Sequence, residues 1–328
     1  MVFWSDWLSI NVGLVLWLTI FAFPAQQLDE QATLAPSDLV GLIMHQKGIT
    51  VDKLLSSNLL VIAPHMDDEI LGCGGLMLLH EDKRRLHCIY ASDGKNSPTA
   101  LLPWQNDPDG DLAQIRECES REALAEIGIP PENSTLLNLP DGGLFRVRGK
   151  LERRLENEIG RIEPDFILVP FRYDLHSDHV AVHRATRNLK RSGRIRGTIL
   201  EYFIYIRWRL INGRDIRLRI PKGNLIQVDI SSVSAAKHNA LSRYHSQTNI
   251  LYAWQETPIL TEENVQQRCR EPEHFLLAEP AEPLLSCFSS SKYWLLLAHY
   301  LERLGKRRKD QVVAFFKWAL RPSARQTG

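Results

Sequence analysis

Two short clusters in this chain bring together side chains that can bind metal and move protons. The first is His65-Met66-Asp67-Asp68-Glu69, with one imidazole and three carboxylates in five residues. Without a cation, Asp67 and Asp68 would repel each other and raise each other's pKa. A divalent metal removes that conflict. The second is Asp174-Leu175-His176-Ser177-Asp178-His179, where two histidines bracket an aspartate. Alone, the first cluster reads equally as a helix N-cap with acids in its first turn, and the second as a surface turn. Together, histidine and aspartate ligands with an open coordination position describe a catalytic zinc site and metal-assisted hydrolysis.

Such chemistry requires both clusters to lie at the same edge of a scaffold, and the surrounding sequence supplies one. Leu59–Pro64 and Phe166–Pro170 are short, continuous apolar runs, the pattern of strands buried on both faces. Each runs directly into one of the clusters. Leu86–Ala91 and Thr135–Leu139 read as two further strands. Helical spacing covers 69–80, 112–127, 150–162 and 178–189, with Gly128 and Pro164 as stop signals. Beyond Gly197, Thr198–Ile206, Asp215–Ile220 and Leu225–Ile230 alternate like strands, the last two forming a hairpin around Pro221-Lys222-Gly223-Asn224. Ser231–Tyr244 reads as one helix. The expected fold is α/β: a Rossmann-like, mostly parallel sheet flanked by helices, with an appended β-hairpin. Ligands of such sheets sit outside the carboxyl ends of the strands, where both clusters fall.

The motifs APHMDDE and HSDH resemble the two signatures of the PIG-L/LmbE-like zinc-dependent N-deacetylases. The usual first signature is A-H-P-D-D-E; here Met66 replaces the proline and Pro64 precedes the histidine. Ser177 stands at the proline position of the usual H-P-D-H. Ala91-Ser92-Asp93-Gly94, Arg116-Glu117-Cys118-Glu119, the Lys237…His245-Ser246-Gln247 stretch and Glu273-His274-Phe275 are similar to further family segments, so the resemblance spans about 57–277. It implies zinc held by His65, Asp68 and His179, with Asp67 as general base. It also implies that His176 stabilises the oxyanion or protonates the leaving amine, and that Asp178 orients a histidine. The implied substrate is an N-acetylated glycan, glycolipid or other glycoconjugate. The implied activity is hydrolysis of its acetamide, with a metal-dependent phosphoesterase or a non-catalytic sugar binder as alternatives. Arg116 reads as a substrate contact or as a helix ion pair with Glu119 or Glu122. Asp93 and Asp141 read as sugar contacts or turn caps. The family can carry a tyrosine where Asp174 stands, with Tyr173 beside it.

Composition narrows the remaining classes. The 328 residues are 44% hydrophobic and 24% charged, which excludes a wholly disordered chain and a polytopic membrane protein. Forty Lys and Arg against 39 Asp and Glu leave a net charge of +1, so no overall pull toward nucleic acid follows. The five cysteines are widely spaced with no CxxC, against a disulfide framework or a cysteine zinc site. Gly72-Cys73-Gly74-Gly75 lies inside an expected helix behind an acidic turn. It reads as close helix–sheet packing rather than dinucleotide binding. The expected organisation is an N-terminal extension (1–49), a deacetylase domain (50–277) and a C-terminal extension (278–328), in a cytoplasmic protein that can associate with membranes. Leu8–Phe23 is apolar and shorter than the ~20 residues that span a bilayer; it reads as a buried or dimer-forming helix, an anchor or an atypical signal. The Lys306–Lys309 basic run between apolar stretches reads as a peripheral membrane contact or as a solvated helix face.

Overall fold

The computed structural model describes residues 49–98, 112–172, 174, 176–204, 225–253 and 255–278. The apolar segment at 8–23, the arm at 215–220 and the basic extension after 278 lie outside these residues. Leu225 apart, the described residues belong to one compact unit. No helix among them is long and apolar enough to cross a membrane.

The elements in chain order are α1 (Val51–Leu55), β1 (Leu59–Ala63), α2 (Asp68–Leu79), β2 (Leu86–Ser92), α3 (Leu112–Ile127) and β3 (Ser134–Leu139). There follow α4 (Arg148–Ile162), β4 (Phe166–Pro170), α5 (Ser177–Arg191), β5 (Thr198–Tyr202) and β6 (Leu225–Val228). The last are α6 (Ser234–Leu241), α7 (His245–Thr248), α8 (Glu262–Arg270) and β7 (Glu273–Leu277). The sheet order is β3-β2-β1-β4-β5-β7-β6. From β3 to β5 every pairing is parallel, with Leu59 opposite Leu86 on one side and Phe166 on the other. β7 pairs antiparallel with β5. The Rossmann-like expectation holds.

Both faces of the central strands are covered, which is why their sequences are continuous apolar runs. Leu59, Val61 and Ala63 pack with residues of α2, α3 and α6. Leu60 and Ile62, pointing the other way along the same strand, pack with residues of α4 and α5. The glycines of α2 serve close packing, as the sequence suggests. A Cβ on Gly72 would stand 2.4 Å from Tyr202 Cδ2, and one on Gly75 would stand 2.2 Å from Ile230 Cγ2.

The structure departs from the sequence reading after β5. Ser231–Tyr244 is not one helix: a 3₁₀ turn at Ser231–Val233 leads into α6, which ends at Leu241. The chain then turns so that the buried Tyr244 hydroxyl reaches Glu69. Leu225–Val228, expected as the return arm of a hairpin, is the edge strand beside β7. β7 itself, for which the sequence reading has no strand, lies between β5 and β6. Its Glu273 accepts from the N–H groups of Gly75 (2.6 Å) and Leu76 (2.8 Å) and pairs with buried Lys237 at 2.7 Å, tying β7 to α2.

Candidate active site

β1 and β4 are neighbours although β2 and β3 lie between them in the chain, and the helices that follow them lie on opposite faces of the sheet. The chain therefore diverges at their carboxyl ends and leaves a crevice there. The loop after β1 brings His65, Asp67 and Asp68 to it. The loop after β4 and the first turn of α5 bring Asp174, His176, Asp178 and His179. The turn after β3 adds Asp141.

Asp68 Oδ2 is the centre of this group. It lies 3.2 Å from His65 Nδ1 and 3.2 Å from His179 Nε2. Ligands bound to zinc at about 2.0–2.1 Å in a tetrahedron stand roughly 3.3 Å apart, so each of these two imidazole nitrogens stands at that spacing from Asp68 Oδ2. The far nitrogen of each imidazole meets a carboxylate. His65 Nε2 is 3.1 Å from Asp141 Oδ1 and 3.5 Å from Asp178 Oδ2, and His179 Nδ1 is 3.2 Å from Asp174 Oδ2. Carboxylates behind ligating histidines fix the tautomer and raise ligand basicity. Among the described residues, the sets of three whose possible donors all lie within 4.8 Å of one another are His65, His176 and His179, and His65, Asp141 and Asp178.

The charge balance points the same way. Asp67, Asp68, Asp141, Asp174 and Asp178 are all buried, with Arg116 beside Asp67. Burial of His65 and His179 opposes protonation. Even so, Asp141 and its neighbours hold the His65 imidazole well above its usual range, and Asp68 with Asp174 holds His179 up at about 10. Burial likewise works against an ionised Asp68, yet His179 and His65 keep it well below the carboxylate range. Protons on His65 and His179 balance the carboxylates, and a dication can take their place. Histidine and carboxylate donors are types that fit zinc.

Asp67 is turned to Arg116 instead. Its Oδ1 lies 3.5 Å from Arg116 Nη2. Burial pushes its carboxyl up to about 7 against the pull of Arg116, and Asp68 adds to the rise. His176 Nδ1 accepts from the Asp178 N–H at 3.3 Å, which places the proton of the neutral ring on Nε2. Its ring stands edge-on to His65, with centroids 4.6 Å apart.

The remaining expected residues fall in supporting positions. Asp178, besides backing His65, accepts from the N–H groups of Gly142 (2.8 Å) and Leu144 (3.1 Å), joining the β3 turn to α5. Asp141 faces His65 and accepts from the Asn96 N–H at 2.9 Å. Asp93 accepts from the Asp141 N–H at 3.2 Å and pairs with Lys95 Nζ at 3.1 Å, so it braces the turn beside the crevice. Arg116, read from sequence as a substrate contact or a partner of Glu119 or Glu122, is 1% exposed. Its guanidinium is taken up by Met66 O, Gly94 O and Asp67. Sequence reasoning misses Asp174 as a partner of His179. The available signal was a carboxylate two residues before His176. It also misses the contact between Tyr244 and Glu69, for which no local signal exists.

The fold and these residues define a Rossmann-like α/β protein with a buried His/Asp centre at the strand ends that could hold a metal ion. Residues 60–190 match the family model described as PIG-L: GlcNAc-PI de-N-acetylase. No curated protein matches the chain. Among solved structures, a conserved protein of Thermus thermophilus is 22% identical, covering 69% of this chain and 96% of its own, at a TM-score of 0.45. The N,N'-diacetylchitobiose deacetylase of Pyrococcus horikoshii is 20% identical over 68% of this chain and 84% of its own, at 0.45. A deacetylase of the teicoplanin biosynthesis pathway is 15% identical over 66% and 96%, at 0.49.

Proposed function

We propose that this protein is a zinc-dependent hydrolase that removes the acetyl group from an N-acetylated sugar, an N-acetylglucosaminyl conjugate in keeping with the description of the family model that residues 60–190 match. One observation carries the reading. His65 Nδ1 and His179 Nε2 each stand 3.2 Å from Asp68 Oδ2, each of these histidines is backed by a carboxylate, and Asp67 is turned to Arg116 instead. A metal held by His65, Asp68 and His179 supplies Lewis-acid polarisation and lowers the pKa of water from about 15.7 toward about 7.

The chain's own groups supply the rest. Asp67, anchored at Oδ1 by Arg116, takes the proton of the attacking water at its other oxygen. The tautomer of His176 leaves Nε2–H as a donor for the oxygen of the tetrahedral adduct, where a preorganised donor contributes most. The water oxygen bonds to the acetamide carbon and the C–N bond breaks. The proton held on Asp67 passes to the leaving nitrogen, giving acetate and a free amine. Asp141, Asp174 and Asp178 hold the imidazoles in register throughout. Purified protein should contain about one zinc per chain and release acetate from N-acetylglucosaminyl glycans, nucleotide sugars or glycolipids in a mass-spectrometric screen for loss of one acetyl group. Folded protein with neither metal uptake nor acetate release refutes the assignment.

A further inference from the structure

The structure assigns to Glu69 and Arg116 a joint role that the chemistry above does not use: they clamp the Met66–Asp67 peptide and thereby aim the Asp67 carboxylate. They are positioning residues, and the role rests on the deacetylase reading. The peptide is held at both of its polar ends. Its carbonyl, Met66 O, accepts from Arg116 Nη2. Its N–H, on Asp67, donates to Glu69 Oε2 at 3.0 Å. Asp67 has φ 124° and ψ −29°, a conformation that a residue with a Cβ holds only when its surroundings impose it. Rotation of the Met66–Asp67 peptide plane is the motion that would relax that φ. Both hydrogen-bonding groups of the plane are fixed against it.

The two arms are themselves buried and hydrogen-bonded. Glu69 is 0% exposed, and its other oxygen accepts from the Tyr244 hydroxyl, which comes from beyond α6. Arg116 is 1% exposed and donates through Nη1 to Gly94 O at 3.2 Å. Gly94 has φ +65°, and a Cβ there would stand 3.0 Å from Met66 Sδ and 3.3 Å from Arg116 Cδ, so the chain can approach the guanidinium only as glycine. With both carboxylate oxygens engaged and no exposed surface, Glu69 is turned to the protein and not to the crevice. The third acid of the cluster serves the backbone of the first.

The test compares Glu69→Met with Glu69→Gln in the zinc-loaded protein. Gln keeps an oxygen for the Asp67 N–H and can turn its amide N–H toward the Tyr244 oxygen; Met keeps the volume and loses both bonds. Amide exchange at Asp67 should accelerate at least ~10-fold in Glu69→Met and stay near wild type in Glu69→Gln. Glu69→Met should lower kcat by roughly 10²-fold, within the range of general-base effects, with KM and zinc content unchanged. Glu69→Gln should stay within a few-fold of wild type. In an Asp67→Asn background Glu69→Met should cost nothing further. Unchanged Asp67 exchange in Glu69→Met, equal losses in the Met and Gln variants, or a loss that multiplies with Asp67→Asn each overturn the clamp. If Glu69→Met does not fold, Tyr244→Phe must show the same exchange and kcat changes in smaller measure, again absent in Asp67→Asn; if it does not, the clamp is overturned. Failure of the wild type to hydrolyse any acetamide overturns the deacetylase reading alone, and the exchange rates still decide the clamp.

Discussion

Replacing Asp174 by Asn should harm metal binding more than replacing it by Ala. Asp174 uses its two oxygens on two different histidines. Oδ1 accepts the His176 N–H at 3.0 Å, and Oδ2 lies 3.2 Å from His179 Nδ1. The His179 ring can present an unprotonated Nε2 to a metal only while its proton sits on Nδ1, facing Asp174. In Asp174→Asn, the amide oxygen is best kept for the His176 N–H, which turns the amide nitrogen toward His179 Nδ1. Two donors then face each other, and the ring relieves the conflict by moving its proton to Nε2, where it blocks the metal. Ala removes the support but leaves the ring free to choose its tautomer. Loss of a carboxylate behind a ligating histidine costs about 10–100-fold in metal affinity, or roughly 1.4–2.7 kcal/mol at ~1.4 kcal/mol per decade. We expect Asp174→Ala near the lower figure and Asp174→Asn at or beyond the upper one. Competition for zinc against a chelating indicator measures both, with circular dichroism to establish folding. Wild-type affinity in Asp174→Asn, or a weaker metal site in Ala than in Asn, refutes the tautomer argument.

Asp67→Asn should lose ~10²–10⁴-fold in kcat while zinc content and KM stay close to wild type; a variant that loses its metal shows instead that Asp67 is a ligand. Asp68→Asn should weaken zinc binding and recover part of its activity in excess metal, whereas activity independent of added metal excludes Asp68 from the ligand set. Burial pushes the His274 imidazole down to about 4, below its unfolded value near 6.5. The folded state therefore favours the neutral ring, so this contribution is intact above pH ~6.5 and falls by up to about 3 kcal/mol as pH drops toward 4. Denaturant unfolding of His274→Leu should show a shallower pH dependence across that window, and an unchanged slope removes His274 as its source. Gly72→Ala places a methyl 2.4 Å from Tyr202 Cδ2, whose hydroxyl donates to Ile62 O at 3.0 Å. It should cost roughly 1–3 kcal/mol of stability, and a wild-type melting temperature contradicts the close packing of α2.

Local sequence carries the parts of this protein that local forces decide. Leu59–Ala63 and Phe166–Pro170 are legible as buried strands because no polar residue interrupts either face. The two clusters are legible because each lies within one strand-to-helix connection, where spacing along the chain is also spacing in space. The close packing behind Gly72 and Gly75 follows from residue type alone.

What depended on strand order was not legible. Asp141 reaches His65 because β3 lies two strands from β1 on the side away from β4, and nothing near Asp141 in sequence encodes that distance. Arg116 carries a helix-surface pattern, yet α3 turns it inward to a peptide 50 residues earlier. Glu273–Leu277 has too short an apolar run to declare itself a strand, and only the unpaired edge of β5 gives it a partner. The positive φ of Asp67 leaves no trace in composition, since its causes are Arg116 on one side and Glu69, locked by Tyr244 175 residues away, on the other. Residue types and their spacing determine which groups can do the chemistry. Their partners are set by long-range packing, whose free energy is shared among many apolar contacts that no single stretch of sequence contains.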